Sequence, residues 1–274
     1  MWAFACGAVA SGASWSAHWP TILLGVLLAG PLVCATSQAV NDWFDRHVDA
    51  INEPNRPIPS GRMPGRWGLF FAIAWTLVSL LVAWGLGPWV FGAAVVGLAL
   101  AWAYSAPPLR LKLNGWWGNA ACGLSYEGLA WVTGAALLVT GPPDMRSVAL
   151  ALLYSAGAHG IMTLNDFKSI EGDRQMGVRS LPVQLGAQRA AQLACAVMAA
   201  PQAVVIGLLL AWGTPWHALA VAALLLAQGV LMRRFLSDPV RWALWFSGLG
   251  VTLYVSGMMV SAFALRGLIQ GGLA

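Results

Sequence analysis

Residues 41–66 read NDWFDRHVDAINEPNRPIPSGRMPGR, a polar stretch between two apolar runs that holds four of the chain's ten carboxylates and four of its fifteen Lys and Arg residues. If the preceding helix continues past Val40, then Asp42, Asp45 and Asp49 fall at i, i+3 and i+7 and project from one face. Carboxylates so grouped repel one another, and a divalent cation relieves the repulsion. Oxygen-only donors, with Asn41 beside them, suit Mg²⁺. Taken alone, the stretch also reads as a solvated, charged loop between two membrane spans. Three carboxylates on one face, followed by arginines, point instead to a metal–phosphate site.

A second polar stretch repeats that logic. Asn165 and Asp166 end an apolar run, and Lys168, Glu171, Asp173 and Arg174 follow before GVRSLPVQLG at 177–186. Between the two lies Tyr104-Ser-Ala-Pro-Pro-Leu-Arg110-Leu-Lys112, where Pro107 and Pro108 must end a helix and aim Arg110 and Lys112 at whatever lies beyond. By itself this is a basic loop with a proline stop; between two acidic clusters it suits a phosphate-binding arm.

The elements that position these residues are apolar helices. Hydrophobic residues make up 59% of the 274 and charged residues 9%, against about 25% charged in soluble domains. Nine apolar segments can be drawn, at about 1–13, 19–40, 67–86, 88–105, 117–140, 147–165, 189–212, 215–232 and 242–265. Most approach the roughly 20 residues that cross a bilayer, whereas the first reaches only about 18 Å. The expectation is an all-α polytopic membrane protein forming a single domain over 1–274, with helix one half-built here or begun upstream of Met1. Trp67, Trp84, Trp89, Trp116, Trp117, Trp212, Trp216 and Trp242 cluster at segment ends, as interfacial belts do. Thirteen of the fifteen basic residues fall in alternate loops, all but Arg146 and Arg266. The positive-inside rule puts those loops, and all the polar chemistry, on the cytoplasmic face. Four spans separate the acidic stretches, so both return to that face. The net charge of +5 follows this asymmetry and needs no nucleic acid. Cys6, Cys34, Cys122 and Cys195 are scattered singly and read as reduced core thiols. Residues 1–10 lack the basic start of a cleavable signal peptide.

Together, NDxxDxxxD at 41–49, NRPxPSGR at 55–62, YSxPPLRLK at 104–112 and DxxxxEGDRxxGxxSLPVxxG at 166–186 resemble the UbiA superfamily of intramembrane prenyltransferases. INEPNRPIPSG, YSAPPLRLKLNGWWGN and NDFKSIEGDRQMG resemble its chlorophyll synthase branch, and the tryptophan-rich NDWFDRHVDA is similar to the bacteriochlorophyll members. The resemblance spans helices two to seven and implies a nine-transmembrane-helix UbiA-type bundle.

It also implies a reaction and its parts. Mg²⁺ held by Asn41, Asp42, Asp45 and Asp49 on one side, and by Asp166 and Asp173 on the other, would stabilise the diphosphate departing from a geranylgeranyl or phytyl donor. Arg46, Arg56, Arg110, Lys112, Lys168 and Arg174 would share the remaining charge, with Asn41 and Tyr104 beside it. Trp102 and Phe44 join Tyr104 as aromatic candidates against an allyl cation. The acceptor implied is the propionate carboxylate of bacteriochlorophyllide a. The implied location is a bacterial inner or intracytoplasmic photosynthetic membrane, with lipid around the bundle. Ser169 stands where many relatives have a further Asp, which leaves the second metal to Asp166 and Asp173, with Glu171 as a third candidate. The chain also begins where relatives already have a polar Lys-Pro segment.

Two intramembrane residues stand apart. Glu127 lies within the fifth segment, where a carboxyl is a functional candidate by default. His159 lies two turns before Asp166 on one helical face. Either belongs to the pigment side of the site or makes a structural hydrogen bond between helices. The rival classes are a transporter, whose carboxylates lie nearer the midplane in broken helices, and a family member with a chlorophyllide, quinone-precursor or haem acceptor.

Overall fold

The computed structural model describes residues 1–271. Its helices are α1 (Trp2–Ala10), α2 (Trp15–Leu27), α3 (Ala35–Asn52), α4 (Trp67–Gly85), α5 (Pro88–Ser105), α6 (Gly115–Gly123), α7 (Ala130–Ala136) and α8 (Met145–Asp166). Two short helices, α9 (Ile170–Gln175) and α10 (Leu181–Leu185), precede α11 (Ala187–Ala211), α12 (Pro215–Ser237) and α13 (Pro239–Gly271). A π turn at Leu28–Cys34 joins α2 to α3 end to end, and another at Leu124–Leu129 joins α6 to α7. Among the described residues this makes nine rods, one for each apolar segment of the sequence. Seven are long and apolar enough to cross a membrane. The second rod starts at Trp15 and, as the carboxylate spacing requires, carries its helix on through Asp49.

Exposure tells which solvent the rods face. Leu81, Leu226 and Leu244 are 73%, 74% and 84% exposed, an outer surface that lipid accommodates and water does not. The protein is multi-pass. Trp67, Trp84, Trp89, Trp117 and Trp216 are exposed at rod ends, where an indole meets both lipid and headgroup.

Inside, the rods are joined by close approach and by buried polar contacts, because lipid supplies little hydrophobic drive between helices. The Tyr254 hydroxyl donates to the Tyr154 carbonyl at 2.6 Å, and the Tyr154 hydroxyl meets that of Ser261 at 2.8 Å. Gln202 donates to Gln228 at 2.7 Å, and Gln228 to the Gly250 carbonyl at 2.7 Å, an amide chain tying α11, α12 and α13. Pro20 and Pro31 withdraw backbone donors from the second rod, which kinks at His18 and widens at the π turn. The Pro31 carbonyl is then taken by the Trp75 indole at 2.8 Å.

The short α1 holds its place through glycine. Added methyls at Gly7 and at Gly134 would strike the backbones of α7 and α1 respectively. At Gly134 the methyl would lie 2.9 Å from the Ala8 nitrogen. Gly134→Ala is therefore expected to push α1 off α7 and cost about 1–3 kcal/mol. Thermal unfolding of the purified protein in detergent checks this; an unchanged midpoint would show that the contact does not hold α1.

Candidate active site

The first acidic set comes from the last turns of α3, and the chain folds back to neutralise it. Arg56, in the turn after α3, places one guanidinium nitrogen 3.0 Å from Asp42 and 3.1 Å from Asp49, while its Nε lies 2.5 Å from Glu53. Its hydrogen bond to Glu53, with the Asp49 and Asp42 charges, raises the guanidinium pKa further. Asp49 is only 8% exposed, and one guanidinium nitrogen serves as the shared cationic partner of both carboxylates. Ile58 packs this loop against Gly68, where an added methyl would lie 2.6 Å from its Cδ1.

Asp45, the middle carboxylate, is met from elsewhere. The connection after α5 turns at Arg110, a non-glycine residue at φ 40°, and passes through a 3₁₀ turn at Leu111–Leu113. The Lys112 ammonium is in contact with Asp45, and the Arg110 guanidinium lies 3.9 Å from it. Burial pushes the Lys112 pKa below the ordinary lysine value, with Asp45 opposing that shift. The Arg110 Nε is buried with no hydrogen-bond partner. A left-handed residue holding an orphaned guanidinium donor is a place where an anion has something to satisfy.

That arm is also fastened to the second motif. Gly115 donates to the Arg179 carbonyl at 2.8 Å, and Arg179 returns a bond to Leu113 at 2.9 Å. A methyl on Gly115 would lie 2.6 Å from the Leu181 nitrogen, which is why glycine opens α6. Four residues on, Asn119 donates to Asp166 at 3.2 Å and to Thr163 at 3.3 Å. The segment from Lys112 to Asn119 thus reaches the carboxylates of α3 at one end and of α8 at the other.

The second set is looser. The Ser169 hydroxyl lies 3.1 Å from Asp173 and 3.3 Å from the Asp166 main-chain carbonyl, within reach of either with its one proton. Glu171 turns to the exposed face of α9, where Arg174 at 3.3 Å and Gln175 at 3.0 Å engage it. Lys168 is exposed. Arg46 folds back on its own helix, with its guanidinium 4.1 Å from the Trp43 ring centre and a 2.6 Å bond to the Trp43 carbonyl. Among the described residues, no three His, Cys, Asp or Glu side chains converge on one point.

A cavity of about 380 Å³ opens beside these charges, between the second rod, α5 and α6 with its π turn. Asn41, tied to Ser105 at 3.1 Å, and Tyr104 line its charged end. Both π turns contribute wall, Ala29, Gly30, Val33 and Cys34 from one and Ser125 and Tyr126 from the other. Such turns reposition side chains without ending a helix. Cys34 and Cys122 are wall residues too, not core thiols, while Cys6 and Cys195 are buried.

Other expected residues fall off that wall. Phe44 and Trp102 pair edge to face at 6.3 Å, and Trp102 bonds Thr76 at 3.1 Å. Glu127 is part of the second π turn but not of the cavity lining, and one of its carboxyl oxygens is buried without a partner. The His159 Nε2 lies 3.2 Å from the Trp116 carbonyl, a link between α8 and α6. Sequence reasoning missed Asn119, Ser105 and Arg179. The NGWWGN run held the signal for Asn119, since an Asn one turn into a glycine-opened helix suits a buried contact.

Residues 1–251 match the UbiA prenyltransferase family. The chain is 61% identical over 268 residues to the bacteriochlorophyll synthase 33 kDa chain of Cereibacter sphaeroides, covering 98% of this chain and 89% of that one. It is 41% identical to the chloroplastic chlorophyll synthase of Arabidopsis thaliana, over 96% of this chain and 70% of that one. In fold it is similar to a UbiA homologue from Archaeoglobus fulgidus bound to DMAPP and Mg²⁺. That match has a TM-score of 0.68 at 20% identity, over 94% of this chain and 95% of the other. With a family match over most of its length and a carboxylate–arginine site at the ends of its helices, the chain belongs to the UbiA prenyltransferase family.

Proposed function

We propose that this protein transfers a geranylgeranyl or phytyl group from its diphosphate to the propionate carboxylate of bacteriochlorophyllide a, with Mg²⁺ as cofactor. The acceptor rests on the 61% identity to a bacteriochlorophyll synthase chain. The observation that carries the donor is the arm, with Lys112 in contact with Asp45 and the buried Arg110 Nε without a partner beside it. Two cations, one of them unsatisfied, suit the oxygens of a diphosphate.

The donor set suits a hard divalent ion. Asp42 and Asp49 already share one cationic nitrogen, 3.0 and 3.1 Å away, and Asn41 adds a neutral oxygen. Asn41, Asp42, Asp45 and Asp49 would hold it on one side, and Asp166 and Asp173 on the other. Bound there, Mg²⁺ would neutralise charge that develops on the leaving diphosphate.

The chain's own residues do the rest. Arg110 and Lys112 bind and orient the diphosphate, and Asn119 holds Asp166 in place through its 3.2 Å bond. The bond from the first prenyl carbon to the diphosphate oxygen breaks, its electron pair leaving with the diphosphate. An oxygen of the propionate carboxylate then bonds to that carbon. The acceptor is ionised near pH 7, so the site needs no strong base. In this reading residues 1–274 form one transmembrane domain in a bacterial inner or intracytoplasmic membrane. Its site faces the cytoplasm, as the placement of thirteen of fifteen basic residues supports.

Purified protein given radiolabelled geranylgeranyl diphosphate and Mg²⁺ is expected to esterify bacteriochlorophyllide and not 4-hydroxybenzoate. Label on the phenol alone would move it to a quinone branch, and label on neither would refute the transferase reading. Asp45→Asn is expected to lower turnover several hundredfold, about 3–4 kcal/mol, in a protein that still folds. Near-normal turnover at limiting Mg²⁺ would remove Asp45 from the site.

Lys112→Ala is expected to raise the KM for the donor and leave that for the pigment nearly unchanged. Phosphate binding needs the ammonium, and burial lowers its pKa, so donor kcat/KM should fall at a pH below the ordinary lysine range. Lys112→Arg should move that alkaline limb upward. An alkaline limb identical in the Arg variant would show that another group sets it.

A further inference from the structure

Arg56, Lys112, Arg146 and Arg174 each have a carboxylate partner. The hairpin between α12 and α13 is different. Its sequence, RRFLSDPVRW at 233–242, holds three arginines and one carboxylate. Arg233, Arg234 and Arg241 are exposed, and none lies in an ion pair among the described residues. Asp238 caps the start of α13 instead, accepting from the Arg241 main-chain N–H at 3.2 Å, with Pro239 opening the helix.

What two of these arginines hold is indole. The Arg234 guanidinium lies 3.9 Å from the Trp242 ring centre and 4.6 Å from that of Trp245, and the Arg241 guanidinium 4.9 Å from that of Trp242. Two like charges therefore share one ring, a crowding that a bound anion would relieve. A guanidinium stacked on a ring keeps its in-plane N–H donors, the ones that match phosphate oxygens. The base beneath is packed. Phe235 and Phe246, both fully buried, stack at 5.0 Å and are next in sequence to Arg234 and Trp245. Phe235 also meets Phe167 edge to face at 5.5 Å, so the hairpin sits at the end of the bundle where α8 finishes in Asp166.

The depth of the patch is marked by its apolar neighbours. Val240 and Leu244 are 57% and 84% exposed, aliphatic side chains that suit lipid tails. Cations, indoles and exposed aliphatics within two turns of α13 describe the boundary between headgroups and acyl chains.

We propose that the α12–α13 hairpin binds the headgroup of an anionic phospholipid, its phosphodiester on Arg234 and Arg241 beside Trp242 and its acyl chains along Leu244. A soluble phosphate would engage the arginines and leave the aliphatic side uncovered, so the occupant is a lipid. The inference rests on the multi-pass fold alone and stands apart from the proposed reaction.

Native mass spectrometry of protein taken from mixed micelles of phosphatidylglycerol and phosphatidylcholine, with identical acyl chains, reads the site. Wild type should retain phosphatidylglycerol selectively. Arg234→Gln/Arg241→Gln should lower that selectivity about tenfold, the scale of two arginines at an anionic surface. Arg234→Lys/Arg241→Lys keeps the charge and gives up the planar fork, and should lower it severalfold. Both variants should unfold near the wild-type midpoint in detergent, since neither arginine holds a carboxylate. Full selectivity in the Lys variant would reduce the patch to diffuse charge and overturn the site, as would full selectivity in the Gln variant. No selectivity in wild type would return the patch to an acidic protein partner or to plain anchoring, and also overturns it. Displacement of the lipid by inorganic phosphate, at an ionic strength where chloride does not displace it, would assign the arginines to a soluble anion instead. A readout without variants is salt: the wild-type selectivity should fall as sodium chloride rises, and a selectivity indifferent to salt refutes a headgroup held by exposed arginines.

Discussion

The contact between Lys112 and Asp45 holds together two residues 67 positions apart in the chain. A lysine from the α5–α6 connection crosses to the middle carboxylate of α3, and both are largely withdrawn from water. Charges at the edge of a bilayer cannot be left half-solvated, so each must find an opposite, and the chain path is bent to supply it. Arg56 does the same for Asp42 and Asp49 by folding the next loop back over α3. Satisfying these carboxylates gathers the cations that a diphosphate would need.

Precision at the charged end depends on close packing behind it. The arm that carries Lys112 is fastened through Gly115 and Arg179 to the segment after α9, a contact that any side chain at 115 would prevent. Asn119 then carries the register one turn further, to Asp166. The two carboxylate sets need no direct contact because one short segment touches both. Deeper in, the π turns interrupt two rods at the level of the cavity and contribute Ala29, Gly30, Val33 and Cys34 from one rod and Ser125 and Tyr126 from the other to its wall.

Where the geometry departs from the expected site, the departures have local causes. Arg46 satisfies itself on Trp43, since a stacked guanidinium with a carbonyl partner gains nothing by reaching across the helix. Glu171 and Arg174, three residues apart on a short helix, pair with each other in the open. Ser169 shows the opposite case, a short side chain that donates to Asp173 where a carboxylate would have repelled it.

By itself the sequence determined the architecture. Among the described residues nine apolar segments became nine rods, and the i, i+3, i+7 spacing put Asp42, Asp45 and Asp49 on one stretch of helix. These are consequences of period and hydropathy, which are local and survive any packing. Tertiary structure alone decided who meets whom across the chain: Lys112 with Asp45, Asn119 with Asp166, Gly115 with Leu181, Cys34 and Cys122 in one cavity wall. A local pattern such as NGWWGN can mark one member of a pair but not its partner, because pairing depends on the angle and depth at which rods cross. A glycine or a proline sets those by a few ångströms of backbone approach. That is why the type of chemistry was legible residue by residue, while the shape of the space in which it happens was not.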